Sequence, residues 1–140
     1  MCHQKKIQMK KISILSLIVV FITTASFTLL QTKPWNVPAD KAKAANPIKT
    51  SAASIADGKT LWNTHCASCH GKTGAGDGAK AATLETAPPN FTKGVFQGQT
   101  DGSLFYKTSE GRGDMPSFKK KIADQEDMWN LVNFMRSLKK

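Results

Sequence analysis

Apolar positions follow two different patterns along this chain. From Ile12 to Leu30 there is no charged residue; Lys5, Lys6, Lys10 and Lys11 come before the run, and Lys33 is the first charge after it. A positive, then apolar, then polar order marks an export signal or a membrane helix. The apolar part of a cleaved signal is about 7–15 residues long, whereas nineteen helical residues reach about 28 Å, close to the ~30 Å hydrocarbon thickness. Thr23, Thr24 and Ser26 dilute the run, and no crisp small-x-small cleavage site follows it. The expectation is a signal anchor over residues 1–30, with a cleaved signal peptide as the alternative. In either case the residues from about 31 onward are exported. Cys2 precedes the run and faces the cytoplasm, so it is not a lipoprotein cysteine and has no assigned role.

Past Leu30 the pattern changes to helical spacing interrupted by turn residues. Residues 31–53 read as a flexible tether, because Pro34, Pro38 and Pro47 break any helix. Trp35 within it reads as an interfacial anchor in preference to a packing residue. The folded domain is expected over 54–140. A helix from about Ser54 to His65 would be capped by Ser54 and place Ile55, Gly58 and Trp62 on one face. Residues 71–99 contain glycines at 71, 74, 76 and 78 and the pair Pro88-Pro89, which predicts loop. A short helix fits Asp101 to Glu110, with Leu104, Phe105 and Thr108 on one side and Gly111 as its stop. The last helix should run from about Asp124 to Leu138, with Asp124 as its cap. There Met128, Leu131, Val132, Met135 and Leu138 recur at intervals of three and four. No alternating strand pattern and no internal repeat is present. The fold class is therefore all-α: three or more helices and long loops, preceded by the N-terminal helix.

So loop-rich a domain has few large apolar residues with which to fill a core, and is marginal alone. Something else should occupy its middle. The net charge is +10, of which the four N-terminal lysines leave +6 on residues 31–140. That balance suits solubility, an acidic partner surface or anionic lipid. Nucleic acid is excluded as a partner, since the chain leaves the cytoplasm and its lysines are not interleaved with stacking aromatics.

The missing centre is announced by Cys66-Ala67-Ser68-Cys69-His70. C-x-x-C-H is the attachment signal of c-type haem. Two thiols add to the haem vinyl groups as thioethers, and the next residue turns its imidazole to the iron. A thioredoxin-like reading needs a βαβ context that is lacking, and a zinc site needs a further ligand. The sixth iron ligand should lie downstream. Met128 and Met135 fall on the apolar face of the last helix and read as core. His65 is too close to the cysteines to reach the other haem face. Met115 stands in Gly111-Arg112-Gly113-Asp114-Met115-Pro116, an irregular segment whose glycines permit close approach. A thioether there would favour ferrous iron and close the site to oxygen. Gly74-Ala75-Gly76-Asp77-Gly78 looks phosphate-like but follows no strand and lacks the lysine-serine end, so it reads as a loop around the haem. Lys119-Lys120-Lys121 reads as a solvated turn, or as part of a docking rim.

From C-A-S-C-H, G-D-M-P-S-F and the final M-W-N-L-V-N-F-M-R-S-L, the chain resembles the class I monohaem cytochromes c over roughly Ser54 to Leu138. The resemblance implies one covalent haem c, attached at Cys66 and Cys69, with His70 and Met115 as axial iron ligands. It implies a crossing of the first and last helices at Gly58 and Phe134, with Trp62 nearby. It also implies that the carbonyl of Pro88 or Pro89 accepts the proximal imidazole N–H. The function expected is electron transfer without enzymatic chemistry or a small-molecule substrate. Partners would be redox proteins with acidic docking surfaces, and the N-terminal helix would hold the chain to the membrane. The haem domain would lie on the periplasmic side of the cytoplasmic membrane, or in solution there if the signal is cleaved. The alternatives are a subunit of a respiratory oxidase or dehydrogenase, or a haem-based gas sensor.

Overall fold

A computed structural model describes residues 34–140. The expected anchor over 1–30, and Cys2 with it, lie outside the described residues. Among those described, no helix is long and apolar enough to cross a membrane. Val37–Lys140 form one compact unit. Its helices are α1 (Ala39–Ala42), α2 (Ala52–His65), α3 (Ala67–His70), α4 (Gly94–Gln97), α5 (Asp101–Glu110) and α6 (Gln125–Ser137). A 3₁₀ turn spans Ala81–Thr83, and the described residues contain no strand beyond an isolated bridge between Arg112 and Met115. The all-α expectation holds, and the three long helices fall within two residues of their expected ends.

The start of α2 differs from the expectation in an instructive way. Its cap is Ser51, which accepts from the Ser54 N–H at 3.1 Å while the Ser54 hydroxyl accepts from the Ser51 N–H at 2.9 Å. Ser54 therefore serves as the third residue of a reciprocal capping box, in the place more often held by Glu or Gln. Thr100 caps α5, and the Asp124 carboxylate caps α6 by accepting from the Glu126 N–H at 2.8 Å.

The principal interface is α2 against α6. It works because Gly58 has no side chain: a Cβ there would lie 2.1 Å from the Asn130 carbonyl oxygen and 2.9 Å from the Phe134 Cβ. The two backbones meet at that glycine, and Trp62 packs its ring 5.6 Å from that of Phe134. This is the crossing that the resemblance implied. Met128, Leu131, Val132 and Met135 are buried around it with Phe91, Phe96, Leu104 and Phe118. Phe105 stacks on Trp129 across α5 and α6, with ring centroids 4.3 Å apart.

The stretch read as a flexible tether joins the fold from Val37 onward. The Thr100 hydroxyl donates to the Ala42 carbonyl at 2.6 Å, and a Cβ on Gly102 would lie 2.2 Å from the Lys41 carbonyl oxygen. The Asn46 amide donates to the Asn133 side-chain oxygen at 2.9 Å, and the Asn133 amide in turn donates to the Ile48 carbonyl at 3.2 Å. Prolines exclude a long helix here but not an ordered strap: beyond the backbone bonds of its own short turn, its Ala42 and Ile48 carbonyls accept from the Thr100 and Asn133 side chains.

Candidate haem site

The C-A-S-C-H segment is built as a sharp continuation of α2. The Cys66 N–H still bonds back to the Trp62 carbonyl at 2.8 Å, and α3 then makes one further turn whose last residue is His70. One helical turn therefore carries both cysteines and the histidine. Cys66 is buried, Cys69 is part-exposed, and both thiols are free. Burial, with a smaller push from Cys69, raises the Cys66 thiol to about 12.

A one-turn helix leaves its carbonyls without partners. The glycine-rich loop supplies them. Gly76 donates its N–H to the His70 carbonyl at 2.9 Å, Gly78 to Cys69 at 3.2 Å and Lys80 to Ser68 at 2.8 Å. Two features demand glycine here. Gly71, Gly74 and Gly76 have φ of 78°, 71° and 82°, in the left-handed region. A Cβ on Gly78 would lie 2.5 Å from the Ser68 carbonyl oxygen. The phosphate-like look of G-A-G-D-G thus has a definite explanation: these N–H groups cap α3 and are not offered to an anion.

His70 is held from behind by aromatic rings. Trp62, fully buried at 0% exposure, donates its indole N–H to the Gly71 carbonyl at 2.9 Å. The Trp62 and Phe91 rings lie 5.7 Å and 4.9 Å from the His70 ring. Burial lowers the His70 pKa to about 4, so at neutral pH the imidazole is uncharged, as a metal ligand must be. Its Nδ1 is buried without a hydrogen-bond partner among the described residues. The expected bond to a Pro88 or Pro89 carbonyl is therefore not formed. The Pro88 carbonyl packs on Gly76 instead, where a Cβ would come within 2.5 Å of it.

Two free thiols and a neutral, incompletely satisfied imidazole on one helical turn fit a haem bound by two thioethers and one axial nitrogen. The other candidates lie in different settings. Met128 and Met135 are deep in the helix interface. The His65 ring packs 6.0 Å from that of Phe118. Met115 is half-buried against the core cluster, in a turn closed by two backbone bonds: Arg112 N–H to the Met115 carbonyl at 2.8 Å, and Met115 N–H to the Arg112 carbonyl at 3.0 Å. Gly111 and Gly113 carry φ of 70° and 57°, which lets the chain reverse so tightly. Near this turn, burial and then the Arg112 guanidinium hold the Lys107 pKa below the usual lysine range.

Two structural residues escaped the sequence reading. Arg136 donates to the Asp101 carboxylate at 2.7 Å, to the Gln97 carbonyl at 2.8 Å and to the Gln99 carbonyl, fastening the loop before α5 to α6. Asn133 receives the strap. A polar residue in an otherwise apolar helical stripe was the available signal for Asn133; Arg136, near a helix end, gave none.

Comparison with known proteins agrees with this geometry. A family described as cytochrome C oxidase, cbb3-type, subunit III, matches residues 53–135. The cbb3-type cytochrome c oxidase subunit CcoP of Azospirillum brasilense is 35% identical over 81 residues, covering 56% of this chain and 27% of that protein. The corresponding subunit of Azospirillum sp. (strain B510) is 31% identical over 86 residues, 61% of this chain and 29% of that one. The chain thus spans less than a third of the length of these relatives. A chain of the Kuenenia stuttgartiensis reducing HAO-like protein complex superposes with a TM-score of 0.60 at 26% identity, over 82% of this chain and 54% of that one. Cytochrome c domains carry covalent haem c, and the C-A-S-C-H turn has the donors for it. With its all-α fold and a matching profile running from the start of α2 almost to the end of α6, this chain belongs to the cbb3-type cytochrome c oxidase subunit III family of cytochrome c domains.

Proposed function

We propose that the chain is a single-haem electron carrier on the exported side of the cytoplasmic membrane, working as part of a respiratory oxidase assembly. The observation that carries this reading is the α3 turn, where Cys66, Cys69 and a neutral His70 share one helical turn capped by the glycine loop. When bound, the haem supplies an iron that cycles between ferrous and ferric states. The chain's own residues do the rest. Cys66 and Cys69 would hold the macrocycle covalently, and His70 and Met115 would ligate its iron. Trp62 and Phe91 keep water from the histidine side. With His70 and Met115 both bound, the iron would be closed to oxygen and peroxide, which favours outer-sphere electron transfer without substrate chemistry.

The names of the relatives favour an oxidase subunit over a free shuttle. The apolar run from Ile12 to Leu30 supports a membrane anchor that keeps the domain beside its redox partner. The +6 charge on residues 31–140 favours an acidic docking surface on that partner. Haem-peroxidase staining after denaturing electrophoresis, combined with mass spectrometry of protein from washed membranes, tests the reading. One retained haem and an intact N-terminus are expected. Haem that extracts into acidic organic solvent would overturn covalent attachment, and a chain beginning after about residue 25 would overturn the anchor.

A further inference from the structure

The turn that carries Met115 is fastened in two different ways. At its base it is bound to the end of the helix it follows. The Ser117 hydroxyl donates to the Ser109 carbonyl at 2.7 Å, and the Phe118 N–H to the same carbonyl at 3.1 Å. Lys119 pairs with Glu110. These contacts all reach back within about ten residues and fix where the turn begins. At the tip, Asp114 makes a contact of another kind: its carboxylate accepts the Thr86 N–H at 3.2 Å, across 28 residues of sequence.

The destination of that contact matters. Thr86 stands two residues before Pro88, and the Pro88 carbonyl packs against Gly76, whose N–H caps the His70 carbonyl at 2.9 Å. The segment gripped by Asp114 is therefore packed on the histidine side of the site. We propose that Asp114 is a positioning residue that latches the Met115 turn to the 84–90 loop and so holds the Met115 thioether on the iron. This rests on the reading of Met115 as the sixth ligand. Gly113 has φ of 57° and nothing within 4 Å of a Cβ built on it, so no side-chain packing holds the turn at that residue. Asp114 contributes as a hydrogen-bond acceptor, so an amide in its place keeps the function and a methyl group does not.

The test uses the haem-loaded full chain and three single variants, Asp114→Ala, Asp114→Asn and Met115→Ala. Two signals are read: the weak long-wavelength sulfur-to-iron absorption of the ferric protein, and the affinity of the ferric iron for added imidazole, which competes with the thioether. Losing one exposed hydrogen bond of ordinary strength should tighten imidazole binding about fivefold in Asp114→Ala and weaken the absorption. Asp114→Asn should stay close to the parent, although it too lacks the charge. Thr86→Pro removes the donor from the opposite side, and combining it with Asp114→Ala should add nothing further. If Met115→Ala abolishes the absorption while Asp114→Ala binds imidazole like the parent, the latch is wrong and the ligand assignment stands. If Met115→Ala keeps the absorption, the ligand assignment falls and the latch with it. Equal effects of Asp114→Ala and Asp114→Asn would make the residue a source of charge and overturn the latch.

Discussion

The His70 turn and the Met115 turn, the proposed two sides of the site, are built on opposite plans. His70 ends a helical turn whose carbonyls are capped by three loop N–H groups, and its ring is backed by Trp62 and Phe91 in the core. Met115 lies in a four-residue turn closed on itself, with an exposed glycine at its tip and an exposed aspartate reaching one backbone N–H across the chain. One side is scaffold; the other is a surface loop carried by it. The difference suits the chemistry assigned to each. Thioether attachment uses two thiols and an imidazole that lie close together in sequence and on one turn. A sixth ligand only has to close over a site already made, and turns with few buried contacts open at low free-energy cost.

The contrast can be broken at several strengths. Replacing Cys66 and Cys69 together by Ala removes both covalent bonds, and haem staining after denaturing electrophoresis should disappear entirely. Retained stain would mean that another residue holds the haem. Next in size is a pair of glycine substitutions, one on each side. Gly58→Ala drives a Cβ to 2.1 Å from a helix carbonyl that cannot move aside, and should cost about 3 kcal/mol. Gly113→Ala meets nothing within 4 Å and only the strain of its φ of 57°, about 1–2 kcal/mol. Similar losses of melting temperature in the two would erase the distinction between scaffold and loop.

Trp62→Phe keeps a ring in the core but leaves the buried Gly71 carbonyl with only the longer bond from the Gly74 N–H at 3.3 Å, for about 1 kcal/mol of stability. The sulfur-to-iron absorption should survive it. Met115→Ala should do the reverse, with little change in melting temperature but a lost absorption and iron open to carbon monoxide. Should Met128→Leu open the iron instead, the methionine assignment would be wrong. The smallest effect concerns docking. Each exposed ion pair with a partner is worth on the order of 0–1 kcal/mol, and salt screens it over about 8–10 Å. Lys119 is already paired with Glu110, and Lys121 lies 5.6 Å from the Phe118 ring centroid. Reversing the charges of Lys119 to Lys121 should still slow electron transfer to the partner more than reversing Lys41 and Lys43. Rates flat in ionic strength would assign the basic balance to solubility or lipid contact.

The sequence by itself determined the cofactor chemistry and the helical frame. C-x-x-C-H is a local code: both thiols and the imidazole fall on one turn whatever the rest of the chain does. The stripe from Met128 to Leu138 has a helical period that fixes its buried face, and Gly58 with Trp62 marked where that face is met. Only the tertiary structure decided which polar groups satisfy which. Residues 31–53 read as a tether because proline spacing reports what a segment cannot form by itself; Asn46 and Asn133 become partners only once α6 is folded beneath the strap. The cap of α2 moved to Ser51 because either serine could begin the helix, and the reciprocal bonds of the pair settle which one does. The glycine loop was legible as a loop, but its task of capping α3 was not. Hydrogen bonds between segments depend on where the chain returns in space, and periodicity along the chain carries no record of that.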